Sequence, residues 1–262
     1  MIDRREFLTL CTFASAMSLS PLSASSAQTK KRMLILIELK GGNDGLNTVI
    51  PYSDPLYYNL RPSLAIDKEK VLKINETIGL HPSLTFLHEN IKKNNVAVLQ
   101  GVGYPNPNLS HFRSIDIWET ASHSEQFLAE GWLNPLLNKI GNGEELIKGI
   151  VLGENAFGPF RGATNDVLVM NNPKQFLRKK TKLETYKKVE GFDRENLNHI
   201  LKVENSITHA IEEIRSKSKT VKLPSLTSLP KDKIGGSVKT LMTIIAAGHL
   251  VPIYKISISG FD

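Results

Sequence analysis

Three short stretches carry side chains able to do chemistry. Gly41-Gly42-Asn43-Asp44-Gly45 follows an apolar run, so Asp44 stands in a tight turn where a strand ends. A carboxylate there, at the carboxyl edge of a sheet, is suited to hold a divalent cation, and Asn43 adds an amide carbonyl. The same residues equally suit a plain turn, since Asn and Asp tolerate left-handed backbone. Gly260-Phe261-Asp262 repeats the pattern after another apolar run. Asp44 and Asp262 would share a cation if their strands are neighbours; otherwise Asp262 is a solvated acid. Ser110 falls at the expected N-cap of a helix, where the helix dipole favours negative charge by about 0.3–1 kcal/mol. His111 and Arg113 stand beside it, and arginine clamps anions through two parallel hydrogen bonds. On residue types alone the stronger reading of Ser110 is a capping serine worth about 1 kcal/mol.

Other chemistries are excluded or weak. One cysteine in 262 residues leaves no disulfide framework and no Cys-based zinc or iron–sulfur site. Of the seven histidines, His81, His88, His123, His199, His209 and His249 form no short metal-binding spacing and read as surface or satisfied residues. Gly41-Gly42 is too short for a phosphate loop. The basic cluster Arg178-Lys179-Lys180-Thr181-Lys182, with Lys187 and Lys188, suits an anionic lipid, polysaccharide or nucleic acid, but such runs are more often a solvated helix face. No aromatic residues interleave it, so nucleic acid is not expected. A hydrophobic content of 40% and a charged content of 23% exclude wholesale disorder, and the net charge is +7.

The elements that must position these residues alternate. Met33–Leu39 is a continuous apolar run suited to a buried strand. A short helix is expected from Ser53-Asp54-Pro55 to Arg61-Pro62, and another opening at His81-Pro82 with Leu84, Leu87 and Ile91 on one face. Val96–Val102 reads as a second buried strand, entering a Pro/Asn loop and then a helix from Ser110 with Phe112, Ile115 and Trp118 in spacing. Both strand exits then emerge on one edge of the sheet. Trp132 to Ile140 predicts a helix capped by Gly141, and Trp118 and Trp132 are assigned to the core. Ile150–Leu152, Val167–Val169 and Val251–Ser259 predict strands. The longest helix is expected from Asp193 to about Lys217, a loop over Lys217–Lys233, and a last helix through Val238, Leu241, Met242 and Ile245. Strand–helix alternation of this kind argues an α/β layered domain.

The N-terminus reads as an export signal. Arg4-Arg5-Glu6-Phe7-Leu8 precedes a mildly apolar run to about Leu22, and Ser25-Ser26-Ala27 offers small residues for cleavage. The paired arginines point to the twin-arginine pathway, and so to that export machinery as a partner. The apolar run is shorter than the ~18 residues a spanning helix needs, so the mature chain carries no transmembrane anchor. Residues 1–27 are therefore taken as signal peptide and 28–262 as the mature domain, periplasmic or secreted. Cleavage after Ala27 removes Cys11 with the signal.

Several of these stretches together resemble one bacterial family. They are Glu38–Pro51, Gly79-Leu-His-Pro-Ser-Leu84, Gln100–Asn108, Ser110–Trp118 and the closing Gly-Phe-Asp. The sequence is similar to the twin-arginine-exported family called domain of unknown function 1501, itself similar to the alkaline phosphatase and sulfatase superfamily. The resemblance runs from about Met33 to Asp262. It implies a three-layer α/β/α sandwich around a mostly parallel mixed sheet, with a site at the carboxyl ends of the strands. It also implies divalent metal ions (Zn, Mg, Mn or Ca), with Asp44 as first ligand, Asp262 as a further ligand and Ser110 as nucleophile. The activity implied is hydrolysis of a phosphate or sulfate ester. Leu109 stands where relatives carry a basic residue, which removes a charge aimed at an anionic substrate.

On that resemblance the chain is the N-terminal part of one domain, with further Asp and His ligands in a portion beyond Asp262. The expectation is an inactive, poorly stable, aggregation-prone segment with an unpaired sheet edge. The alternative is a non-catalytic exported protein of the same fold that binds an anionic ester or glycan.

Overall fold

In the computed structural model, residues 32–140, 147–154, 156–163, 166–173, 175, 208–223 and 229–261 are described. Contacts divide the chain into Met1–Arg32 and Met33–Asp262, and the elements below belong to the second unit. The export signal, the Arg178–Lys188 cluster and Asp262 lie outside the described residues.

The architecture is α/β. Four strands pair in parallel in the order β1 (Leu34–Leu39), β7 (Ile253–Ile258), β5 (Gly149–Leu152) and β6 (Val167–Met170). A second, antiparallel sheet joins β2 (Val49–Ile50), β4 (Gly79–Leu80) and β3 (Leu72–Lys73). The helices are α1 (Gly45–Thr48), α2 (Pro55–Leu60), α3 (Thr85–Lys92), α4 (His111–Thr120), α5 (Asn134–Leu137), α6 over residues 208–220, and α7 (Lys233–Ala246). No helix among the described residues is long and apolar enough to cross a membrane.

Side-chain alternation along β7 explains the core. Tyr254 and Ile256 point to one face, where they pack with Ile150, Leu152 and Met170 against Ile214 of α6 and Leu241 and Ile244 of α7. Ile253 points to the other face, packing with Val151 and Val167 against Leu133, Leu137 and Phe160. Each buried Ile or Leu contributes about 1.5–3 kcal/mol. Lys255 shares the face of Ile253 and is fully buried. α7 is started by Asp232, whose side chain accepts from the Gly235 amide at 2.9 Å.

Among the described residues β1 is the edge strand of its sheet. The amides of Leu34 and Lys40 donate to the Pro252 and Ile258 carbonyls at 2.9 and 2.7 Å. Alternation then turns the amides of Ile35, Ile37 and Leu39 to the open side. Their side chains are 41, 55 and 41% exposed.

Several sequence expectations are corrected. Val96–Val102 is not a strand: Gly101, at φ 68°, bends the run, and Leu99 and Val102 are exposed. α4 begins after Ser110 as expected, yet Phe112, Ile115 and Trp118 face solvent and Ile117 and Thr120 are buried. Trp118 and Trp132 are exposed rather than in the core, Trp118 in a T-shaped contact with Tyr104. α3 starts at Thr85, after a turn in which His81 Nδ1 accepts from the Ser83 amide. α5 is a single turn, and helical residues continue to 220, into the expected loop.

Candidate functional site

The carboxyl ends of β1 and β7 form the centre of the candidate site. Their register sets Leu39 opposite Ile258, so the two exits are adjacent. Gly41 and Gly260 each take φ 105°, a left-handed conformation that L side chains rarely adopt. The turns are joined directly: the Gly42 amide donates to the Phe261 carbonyl at 3.0 Å. The neighbouring strands required for Asp44 and Asp262 to meet are therefore present, with Asp262 itself outside the described residues.

Asp44 caps α1, accepting from the Asn47 amide at 3.1 Å. Its other oxygen is ion-paired with Arg61, a partner that no local pattern of residues signals. The turn is held from behind by a third apolar cluster of Ile50, Tyr52, Tyr57 and Val71. Tyr57 donates its hydroxyl to Asn47 Oδ1 at 2.7 Å, and Asn47 Nδ2 donates to the Leu64 carbonyl at 2.9 Å. Asn43 Nδ2 donates to Thr48 Oγ1 at 3.4 Å, a bond that does not use its carbonyl oxygen. Asp44 and Asn43 thus offer hard oxygen donors, the type that suits Mg, Ca or Mn. No group of three or more His, Cys, Asp or Glu placed to hold a metal occurs among the described residues.

Ser110 is the N-cap of α4, but its side chain makes no capping hydrogen bond; its amide instead donates to Asn108 Oδ1 at 2.9 Å. Among the described residues no hydrogen bond joins it to Asp44. The end of α4 that reaches the sheet edge is Glu119, nine residues and about 13 Å further along the helix. Arg113 is turned inward: its guanidinium pairs with Asp116, donates to the carbonyls of His123 and Ser124 at 3.2 and 3.0 Å and to that of Gln126, and lies 3.9 Å from the Phe127 ring centre. In this geometry it organises the 123–127 loop. Asp116 also pairs with Arg161.

A charged network built from residues distant in sequence lies beside the Asp44 turn. Lys255 Nζ is 2.9 Å from Glu38 Oε2, donates to Ser257 Oγ at 3.0 Å, and is bonded to Glu154 Oε1. Ser257 Oγ donates to Glu38 Oε2 at 3.1 Å, and Lys40 Nζ lies 2.8 Å from Glu154 Oε2. Burial opposes ionisation of Glu154, yet the bonds from Lys255 and Lys40 outweigh it and hold its pKa below the usual carboxylate range. Glu119 moves the other way: burial raises it, and the charges of Lys40 and Lys255 only partly compensate. Burial works against the Lys40 ammonium, but Glu154, with Glu38 and Glu119, leaves its pKa raised. The signal was there to read, in Lys255 and Ser257 spaced by two on an apolar strand and Glu38 near the end of another.

Compared with known protein families, with curated proteins and with solved structures, the chain matches none.

Proposed function

We propose that this chain is an exported α/β protein of the three-layer, alkaline-phosphatase-like kind, whose sheet-edge turns hold a divalent cation against a phosphate or sulfate ester. The observation that carries this reading is the Gly42–Phe261 hydrogen bond, which joins the turn bearing Asn43 and Asp44 to the turn preceding Asp262. Asn43, Asp44 and Asp262 would hold the cation, which when bound polarises an anionic ester. Arg61, now paired with Asp44, is the group a cation would displace. Ser110, with a hydroxyl free of capping duty at a helix N-terminus, is the nucleophile candidate, on the strength of the sequence resemblance. Apolar clusters on both faces of the sheet support the layered architecture. The paired arginines at residues 4 and 5 support twin-arginine export.

One observation favours a second reading, a non-catalytic exported protein that binds anionic esters or glycans. Arg113, the expected anion clamp, is already engaged by three carbonyls and Asp116. A single experiment separates the two. The full-length mature protein, with any portion beyond Asp262, is titrated with Mn²⁺ and Zn²⁺ and assayed on aryl phosphate and aryl sulfate, beside Asp44→Ala and Ser110→Ala. Cation binding lost in Asp44→Ala, with hydrolysis lost in both variants, is the expected result. Binding without turnover selects the second reading. Failure to bind any cation, or hydrolysis that survives both substitutions, removes the site assignment.

A further inference from the structure

Lys255 sits at the centre of the parallel sheet with no solvent exposure, where a methionine would fill the same space without desolvating a charge. Its partners come from different elements. Glu38 belongs to β1, four residues before Gly42; Glu154 lies two residues past β5; Ser257 belongs to β7 itself. Lys40, next to the Gly41 turn, completes the circuit through Glu154 at 2.8 Å. The backbone makes room for this ammonium. Gly158 has φ 57°, and a Cβ there would lie 2.7 Å from Lys255 Nζ and 3.3 Å from Glu119 Oε1. An apolar replacement of a whole buried ion set is often harmless, whereas such sets fix one arrangement among several.

We infer that Lys255 is a positioning residue: its ammonium ties the exits of β1, β5 and β7 together, and so holds the Asn43–Asp44 turn against Phe261. This goes beyond the proposed activity and does not depend on it, because a backbone contact reports it whether or not the protein binds a cation or turns over an ester. Removing the ammonium leaves Lys40, 3.9 Å from Glu38 and 2.8 Å from Glu154, as the one cation the two carboxylates still share among the described residues, and β1, the outermost strand of the sheet among those residues, is the element able to move.

The test is hydrogen exchange on the whole chain, comparing wild type with Lys255→Met, which keeps the aliphatic stem. The Gly42 amide, donor to Phe261, is read against amides of α7, which packs on the opposite face of the sheet. The expected result is a loss of protection at Gly42 at least about tenfold greater than any loss in α7. An equal loss at both places would mean a merely structural lysine and overturns the inference, as does unchanged protection at Gly42. Should Lys255→Met fail to fold, Glu154→Gln, which keeps an acceptor and removes one charge, is read in the same way with the same two outcomes. Mn²⁺ titration of the same variants then separates the two ideas: wild type that binds no cation counts against the proposed site, and the exchange result stands or falls by itself.

Discussion

Gly42 and Phe261, more than two hundred residues apart, share a hydrogen bond of 3.0 Å that closes the two strand exits onto one another. The geometry depends on the glycine before it. Gly41 holds φ 105°, and Gly41→Ala is expected to cost about 1–3 kcal/mol in urea denaturation. Gly42→Ala is the control, since its Cβ would meet only the Phe261 carbonyl at an ordinary 3.5 Å. It is expected within about 0.5 kcal/mol of wild type. Equal losses would show that the Gly41 conformation does not set the turn.

Asp44 has two separable duties. Asp44→Asn keeps an acceptor for the Asn47 amide and loses the charge that pairs with Arg61. Both groups are partly solvated, so the stability change is expected to stay below about 1 kcal/mol. Affinity for Mn²⁺ is expected to fall by at least about tenfold, because a carboxylate is exchanged for a neutral amide. Unchanged affinity by titration calorimetry would move the cation elsewhere.

Two glutamates of the network titrate in opposite directions. Glu119 has a raised pKa, caused first by burial, so its ionisation costs stability as pH rises from about 4 through that raised value. Glu119→Gln is therefore expected to gain on wild type as pH rises above about 4, with no difference in acid. Glu154 has a lowered pKa, so its contribution is present above the ordinary carboxylate value and fades as pH falls through the depressed one. Glu154→Gln is expected to lose most at neutral pH and least in acid. Denaturant midpoints across pH measure both, and parallel curves for the two variants would contradict the assignment.

Arg113 is expected to matter for a loop. Arg113→Lys cannot reach three carbonyls at once or stack on Phe127, and a loss of about 1.5–3 kcal/mol is expected. Limited proteolysis should find new cleavage between residues 121 and 128. If stability and cleavage stay as in wild type while binding of sulfate or phosphate weakens, the anion-clamp role returns.

Much of the scaffold was legible. The apolar runs at Gly149–Leu152, Val167–Met170 and Ile253–Ile258 are buried or half-buried parallel strands, as such runs suggest, whereas Leu34–Leu39 is a strand but largely exposed, not buried as its run predicts. Val96–Val102 shows the same pattern and is not a strand, and only the left-handed Gly101 within it hinted otherwise. The two-residue strands β2, β3 and β4 are too short to leave a period. At the site, the Gly-Gly-Asn-Asp-Gly turn was visible from its residue types. Arg61 and Glu154 were not, since their partners are far away in sequence and pairing between distant charges leaves no local trace; Lys255 left only the trace of a charge inside an apolar strand.

Strand order also has a consequence for timing. β1 is made first among the described strands and meets its neighbour β7 only after some two hundred further residues, as the Glu38–Ser257 bond across 219 positions shows. Contacts of such long range slow folding and leave intermediates exposed. On the ribosome, β1 must therefore wait for β7 until residue 253 has emerged, and its apolar side chains are then a natural target for a chaperone.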